Sequence, residues 1–303
     1  MLPLESVPNL SEGRDSRVIA ELGAALGGRA RLLDVHSDPD HHRSVFTLVG
    51  GDDALVDSLL AGIARARDLI DLREHDGVHP RVGAADVVPL VPLRPRDMAR
   101  ARAAALALAE RVGAELALPV FLYGEVGDGR RPAFFRRGGP EELQRRVDAG
   151  ELAPAFGPSR LDPTAGAVLI GARRPLIAFN VDLRTDDVEV AREIAAAVRE
   201  TGGGFAGVRA LGLRLPRSGR VQVSMNVEDW EAAGLPEIVV RIEKLAAGRG
   251  VALAGSELVG LMPAGAAVAA AGAMLRIEGF DARQVLELRL LDPVEPVEPV
   301  EET

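Results

Sequence analysis

The order in which two apolar periodicities alternate along the chain constrains its fold more than any other feature. Val18, Ile19, Leu22 and Leu26 recur at helical spacing over residues 16–26. A short apolar segment at 4–8 precedes them, and extended segments at 31–36 and 44–50 follow. Leu55, Leu59 and Ile63 mark a second helix that Asp52 or Asp53 can cap, and residues 84–91 read as a buried strand. Pro89 in that strand has no N–H to give to a ladder, which predicts a sheet edge or a bend. The order is β-α-β-β-α-β, followed by an alanine-rich helix over 97–115 and a strand over 120–123.

The same order then recurs. A strand at 176–183 leads to a helix with Val190, Ile194 and Val198 on one face, and Asp186 and Glu189 stand at capping-box spacing before it. Strands at 208–215 and 221–227 flank Pro216-Arg217-Ser218-Gly219, and a helix at 235–247 and a strand at 251–258 complete the copy. Two copies of this split βαβ order predict an α+β fold made of two ferredoxin-like (βαββαβ) subdomains by duplication. The stretch from Gly138 to Ala165, which contains proline and glycine, reads as the join. We therefore expect subdomains at 1–175 and 176–292, and a disordered tail at 293–303, where Pro-Val-Glu repeats.

Composition removes several chemistries. There is no cysteine, so disulfides, thiolate nucleophiles and thiolate metal sites are excluded, in keeping with a cytoplasmic location. A net charge of −9 without a basic stripe argues against nucleic acid as a partner. The longest apolar run, 263–275, is mostly Ala and Gly and falls short of the ~18 residues a membrane helix needs. Residues 1–11 carry acid and proline and do not read as a signal peptide. Lys244 is the only lysine, so Schiff-base chemistry rests on that residue or on none.

All five histidines fall in two loops. One reads His36-Ser37-Asp38-Pro39-Asp40-His41-His42-Arg43, the other Arg73-Glu74-His75-Asp76-Gly77-Val78-His79-Pro80-Arg81. Polar loops collect such residues merely by being solvated, but imidazoles gathered beside carboxylates and guanidinium groups can also move protons. His75 and His79 are four apart, as metal ligands on a helix would be; Gly77 and Pro80 argue against a helix there, and no metal is expected.

Several segments, in order from position 7 to about 263, resemble the formiminotransferase family. They are Val7-Pro8-Asn9-Leu10-Ser11-Glu12-Gly13, Asp76-Gly77-Val78-His79-Pro80-Arg81-Val82-Gly83-Ala84, Leu122-Tyr123-Gly124-Glu125 and Phe156-Gly157-Pro158. Further along come Ala178-Phe179-Asn180-Val181, Gln222-Val223-Ser224-Met225-Asn226 and Gly255-Ser256-Glu257-Leu258-Val259-Gly260-Leu261. The resemblance implies sheets facing across a ligand groove, and transfer of a formimidoyl group between N-formimidoyl-L-glutamate and tetrahydrofolate as co-substrate, in histidine degradation. It implies a homodimer and, because the chain stops where bifunctional members continue, no cyclodeaminase activity. By the His-Pro-Arg motif the catalytic histidine is His79, with His75 a neighbour. The folate-contacting segment matches Gly157, Pro158, Ser159, Arg160, Leu161, Asp162, Pro163, Thr164, Ala165 and Gly166, of which Gly157, Pro158, Pro163 and Gly166 fit cleanly. The vertebrate branch has an aromatic residue at the position of Ala165 and an acidic one at the position of His36; Asp38 or Asp40 can substitute for the latter.

The residue chemistry suits that reaction. Attack on an amidine carbon requires the departing glutamate nitrogen to be protonated, and a near-neutral imidazole can take and return that proton. Both substrates carry carboxylates, which Arg43 and Arg81 can clamp, with Arg14 open between this and a solvated role. Asn9, Asn180 and Asn226 stand at strands, where an amide faces a groove or caps a turn. Tyr123 is open between core and groove, and Glu125 between orienting His79 and facing water. The rival readings are a glutamate formyltransferase or related one-carbon transferase, a metal-dependent formimidoylglutamate hydrolase and a non-catalytic small-ligand-binding module.

Overall fold

The computed structural model describes residues 2–291, so the expected disordered tail lies outside the described residues. In the first half, β1 (Leu4–Ser6), β2 (Asn9–Leu10), α1 (Ser16–Leu26), β3 (Arg31–Asp38), β4 (Arg43–Gly50), α2 (Asp52–Leu69) and β5 (Ala85–Pro92) follow in order. Next come α3 (Met98–Glu115), β6 (Val120–Gly124), α4 (Pro132–Arg136), α5 (Gly139–Asp148) and β7 (Val168–Ala172). The second half has β8 (Ile177–Leu183), α6 (Val188–Val198), β9 (Val208–Arg214), β10 (Val221–Val227), α7 (Leu235–Ala247), β11 (Leu253–Val259) and α8 (Ala264–Leu275). The protein is thus α+β with two sheets.

In the first sheet β3 pairs β4, β4 pairs the interrupted strand β1/β2, and that strand pairs β5, all antiparallel. Beyond β5 the sheet continues in parallel through β7 to β6. The second sheet runs β11-β8-β10-β9, all antiparallel.

Three expectations are corrected. β5 is an interior strand, buried along its whole length, not an edge. Pro89 is tolerated because its antiparallel partner breaks just there: Ser6 pairs Leu90, Asn9 pairs Val87, and Val7-Pro8 lies in the gap. The Ser6 hydroxyl fills part of it by donating to the Pro89 carbonyl at 2.7 Å. The presumed join holds α5, with α4 just before it, and just beyond it lies β7, a strand absent from the sequence reading. Every residue of β7 is buried, so its apolar run shows no alternation. Finally, α6 is capped by Asp187, whose side chain accepts from the Glu189 N–H at 2.9 Å, and not by Asp186.

Each sheet turns one face to helices. Phe46, Leu48, Val88 and Leu90 pack with α1–α3, and Val181, Leu183, Val221 and Val223 with α6 and α7. Burying such side chains contributes roughly 1.5–3 kcal/mol each. Alternation along the strands sends their neighbours Val45, Thr47, Asn180 and Ser224 to the opposite faces, and these line one shared cavity.

Candidate active site

The cavity has a volume of about 430 Å³ and draws its walls from both sheets. Val7, Val45, Val87, Pro89, Met225 and Leu261 supply apolar surface, and Asn9, His36, Asp38, Arg43, His79, Asn180 and Asn226 supply polar groups. A few convergent polar groups in an apolar cleft are the usual form of a small-molecule site.

His79 arrives on the loop between α2 and β5, and that loop is pinned to the other histidine loop. The Val78 N–H donates to the Asp40 carbonyl at 3.2 Å. The His75 and His42 rings stack at 4.1 Å between centroids. His75 Nε2 donates to the His42 carbonyl at 2.7 Å and Nδ1 accepts from the Gly77 N–H at 3.2 Å, so both ring nitrogens are engaged. Burial, then the charge of Arg81, pushes the His75 pKa down to about 4. A Cβ on Gly77 would stand 2.3 Å from the His41 carbonyl oxygen, so only glycine lets the loops approach this closely. His75 is therefore a neighbour that builds the loop.

The His79 ring is held on two sides. The Pro80 carbonyl, which can only accept, lies 2.8 Å from Nδ1 and takes its hydrogen. Arg43 Nη1 lies 2.7 Å from Nδ1 and 3.1 Å from Nε2, so the lone pair it meets is on Nε2. Burial, then the charges of Arg43, Arg136 and His41, holds the His79 pKa well below that of a free imidazole. His79 is therefore neutral at neutral pH. Arg43 is fixed in turn by Asn9, whose Oδ1 accepts from Nε at 2.8 Å. Burial, helped by the Arg136 charge, lowers its own pKa to about 9.

Behind both guanidinium groups sits Asp86, 2% exposed on β5. Its Oδ1 accepts from the Val82 N–H at 2.8 Å, while Oδ2 pairs with Arg136 and lies 3.9 Å from Arg43. One carboxylate thus balances two cations and anchors the end of the His79 loop. Asp86 was not singled out from sequence, though a carboxylate inside an apolar strand is itself a signal, because charged groups are rarely buried unpaired.

Sequence shows two further residues only as members of a loop and of a motif, not as site residues in their own right. His41 lines the cavity with its ring centroid 5.8 Å from that of His79. Glu257 on β11 joins the sheets: Oε1 is 3.4 Å from His36 Nε2, and Oε2 accepts from Asn180 Nδ2 at 3.0 Å. The hydrogen bond with His36 holds Glu257 down to about 2 and raises His36.

The other sequence candidates divide. Asp38 lines the cavity, and its Oδ1 caps the turn by accepting from the N–H groups of Asp40 and His41, both at 2.7 Å. Asp40 does not reach the cavity. It is buried and accepts from the N–H groups of Arg217 at 2.5 Å and Ser218 at 3.1 Å, clasping the second sheet's hairpin. Arg81 also turns away, donating back to the Gly77 carbonyl of its own loop, and Arg14 pairs with Asp76. Tyr123 is both core and wall: it is buried, and burial raises its pKa. Asn226 is exposed at the cavity, and Glu125 lies at its rim. Lys244 lies exposed on α7, away from the cavity.

The segment from Gly157 to Gly166 does not line the cavity; it braces the His79 loop from behind. Asp162 Oδ1 accepts from Thr164 N–H, Thr164 Oγ1–H and Ala165 N–H within 2.9 Å, making a closed turn. The Ala84 N–H donates to the Ala165 carbonyl at 2.9 Å. Gly166 has φ +69°, and a Cβ there would stand 2.1 Å from the Val82 carbonyl oxygen. Leu161 and Ala165 are buried, whereas Pro158, Ser159, Arg160 and Pro163 are exposed on the outer surface. Local turn signals cannot tell a ligand loop from a bracing one.

The sequence matches the formiminotransferase domain, N-terminal subdomain, over residues 3–173 and the formiminotransferase domain over residues 178–285. The chain belongs to the formiminotransferase family. It is 38% identical over 296 residues to the glutamate formimidoyltransferase of Streptococcus pyogenes serotype M1, covering 95% of this chain and 98% of that protein. The Thermoplasma acidophilum protein of the same name is also 38% identical, over 95% of this chain and 97% of its own length. The formimidoyltransferase-cyclodeaminase of Sus scrofa is 39% identical over 272 residues, covering 86% of this chain and 50% of that protein. Formiminotransferase membership thus extends over both sheets and over the loop that carries His79.

Proposed function

We propose that the protein is a glutamate formimidoyltransferase that moves a formimidoyl group between N-formimidoyl-L-glutamate and tetrahydrofolate, with His79 exchanging the proton. The observation that carries this reading is a neutral imidazole, pinned by Arg43 and the Pro80 carbonyl, inside a cavity walled by both sheets. Tetrahydrofolate supplies the nitrogen that accepts the group. Val45, Val87 and Pro89 offer a flat ring an apolar bed, and Arg131, Arg173 and Arg174 on the same cavity suit the carboxylates that both substrates bear. His79 Nε2 takes a proton as the new C–N bond forms. The cation beside it then makes the imidazolium a readier acid, which favours returning that proton to the departing nitrogen.

The reading also takes the two halves as ferredoxin-like copies of one duplicated unit, with the join before residue 176. The matching strand orders and the split of the family match between 173 and 178 support it. A place in histidine degradation, a cytoplasmic location and a homodimer complete it; the edge strand β3, with Leu33 and Val35 exposed, offers a surface for self-association. Turnover of N-formimidoyl-L-glutamate should require tetrahydrofolate and survive dialysis against a chelator. Release of glutamate without folate, or loss of activity on chelation, overturns the reading. The N-formyl donor run in parallel shows which group is preferred.

A further inference from the structure

We propose that His41 is the general acid of this transfer, protonating the glutamate nitrogen as it departs, while His79 acts as the base. This rests on the formimidoyl-transfer reading of the cavity and adds a second proton-carrying residue to it.

The first argument is geometric. Nδ1 of His79 is committed to the Pro80 carbonyl, and Arg43 holds the ring from the other side. Nε2 can exchange a proton with substrate, but only by giving up its contact with Arg43 Nη1, 3.1 Å away. The attacking and departing nitrogens occupy different positions on the reacting carbon, so a single pinned ring would have to break both contacts to serve the two. His41 removes that need. Its ring lies on the same cavity, 5.8 Å from His79 between centroids and tilted by 30°. It is 9% exposed, and its Nε2 has no hydrogen-bond partner among the described residues. Leaving a buried polar atom unpaired is costly, and purely structural histidines avoid that cost, as His75 does. The His41 backbone is fixed by its N–H bond to Asp38 at 2.7 Å, which sets the point from which the ring enters the cavity.

The second argument is the charge around each ring. His79 faces Arg43, Arg136 and His41, all cationic or able to become so, opposed by the Pro80 carbonyl. Burial is the largest influence on His41 and lowers it, but carboxylates face it from three sides, Asp38 on β3, Asp40 in the turn and Glu257 on β11, against Arg43 and the neighbouring His79 ring. Burial lowers both, but the surroundings separate them: His79 is the easier to keep neutral and His41 the easier to protonate. Pairs of titratable groups driven apart by their surroundings mark base and acid.

The step balances as follows. The acceptor nitrogen bonds to the formimidoyl carbon and gives its proton to His79 Nε2. The C–N bond to glutamate breaks, its electron pair stays with the glutamate nitrogen, and that nitrogen takes the proton of the His41 imidazolium. A proton then passes from His79 to His41 across the short gap, through a water, and the pair is reset.

The test is His41→Gln, which keeps a polar side chain but carries no exchangeable charge. With N-formimidoyl-L-glutamate, kcat should fall ~10²–10⁴-fold, the usual loss for a general acid, while KM moves a few-fold at most. The alkaline limb of the kcat–pH profile should vanish, and added imidazole should restore part of the rate. With N-formimidoyl-3-fluoroglutamate, whose departing nitrogen is less basic, the His41→Gln deficit should shrink at least ~10-fold, whereas that of His79→Ala should not. The wild-type enzyme gives a check without substitution: its alkaline limb should be weaker for the fluorinated donor. A wild-type kcat in His41→Gln, equal deficits on both donors, or identical alkaline limbs overturns the assignment. If the wild-type enzyme fails to turn over either donor, the transfer reading falls as well, which is a different result from an active enzyme indifferent to residue 41.

Discussion

The β3–β4 hairpin tip of the first half carries Asp40, His41 and His42; its counterpart in the second half, between β9 and β10, carries Pro216, Arg217, Ser218 and Gly219. The connections between second helix and last strand differ as much. Residues 70–84 carry His75, Asp76, His79 and Arg81, whereas residues 248–252 merely turn the chain from α7 into β11. Strand order is the same around both, because pairing and core packing are satisfied by the sheets and helices. Loops are free to diverge, so one half concentrates the imidazoles and the other supplies backbone donors, amides and a wall. The two tips meet, with the Asp40 carboxylate accepting from the second tip's N–H groups. The half that holds the imidazoles is thereby registered against the half that does not.

The sharpest way to break this division is kinetic. His79→Ala should lose ~10²–10⁴-fold in kcat. Asn226→Ala, on the second sheet's side of the cavity, should lose no more than about 10-fold, the worth of one hydrogen bond. Steady-state assays at saturating substrate compare the two, and similar losses would erase the contrast.

Next in size is the pair of buried strand carboxylates. Asp86→Asn should cost ~3–5 kcal/mol in urea unfolding, because Arg136 and Arg43 lose their shared buried counter-charge. Asp182, buried on β8 of the second sheet, bonds Gln222 Nε2 at 3.0 Å and the largely exposed Arg220 at 3.0 Å. Water can take over that arginine, so Asp182→Asn should cost only ~1 kcal/mol. Equal costs would mean that the first sheet's arginines are not held by Asp86.

The clasp itself comes third. Asp40→Asn should remove ~1–3 kcal/mol, seen as a lower thermal midpoint, with KM raised more than kcat is lowered. An unchanged midpoint would show that the tips do not hold each other.

The smallest effect depends on pH. Glu257, held near 2, contributes fully above its ordinary value of 4.5 and loses that contribution as pH falls toward 2. His36, raised by the same bond, contributes fully below its ordinary 6.5 and loses that contribution as pH rises through its raised value. The stability difference between wild type and Glu257→Gln should therefore be greatest between pH 4.5 and 6.5 and reach only ~0.2–1 kcal/mol, since the pair is partly solvated. Urea titrations from pH 3 to 9 test this, and a flat difference would remove the bridge.

Sequence by itself determined the β-α-β-β-α-β order of each half, because helical and strand periodicities are local and need no partner to be seen; α4, α5 and β7 between the halves went unread. α1, β10 and α7 stand at residues 16–26, 221–227 and 235–247, where their patterns put them. The His79 loop was legible for the same reason: its motif is contiguous. What only the tertiary structure decided lies in contacts far apart in the chain. β7 enters between β5 and β6, and Pro89 becomes interior because Val7-Pro8 breaks opposite it. Asp40 turns to a hairpin 177 residues away, and Asn180 meets Glu257 across 77. Gly157–Gly166 braces a loop instead of lining the cavity, and His41 stands beside His79 although 38 positions separate their numbers. Residue type records what a side chain can do; which partner it meets depends on chain closure over long loops, and that information is spread over the whole fold.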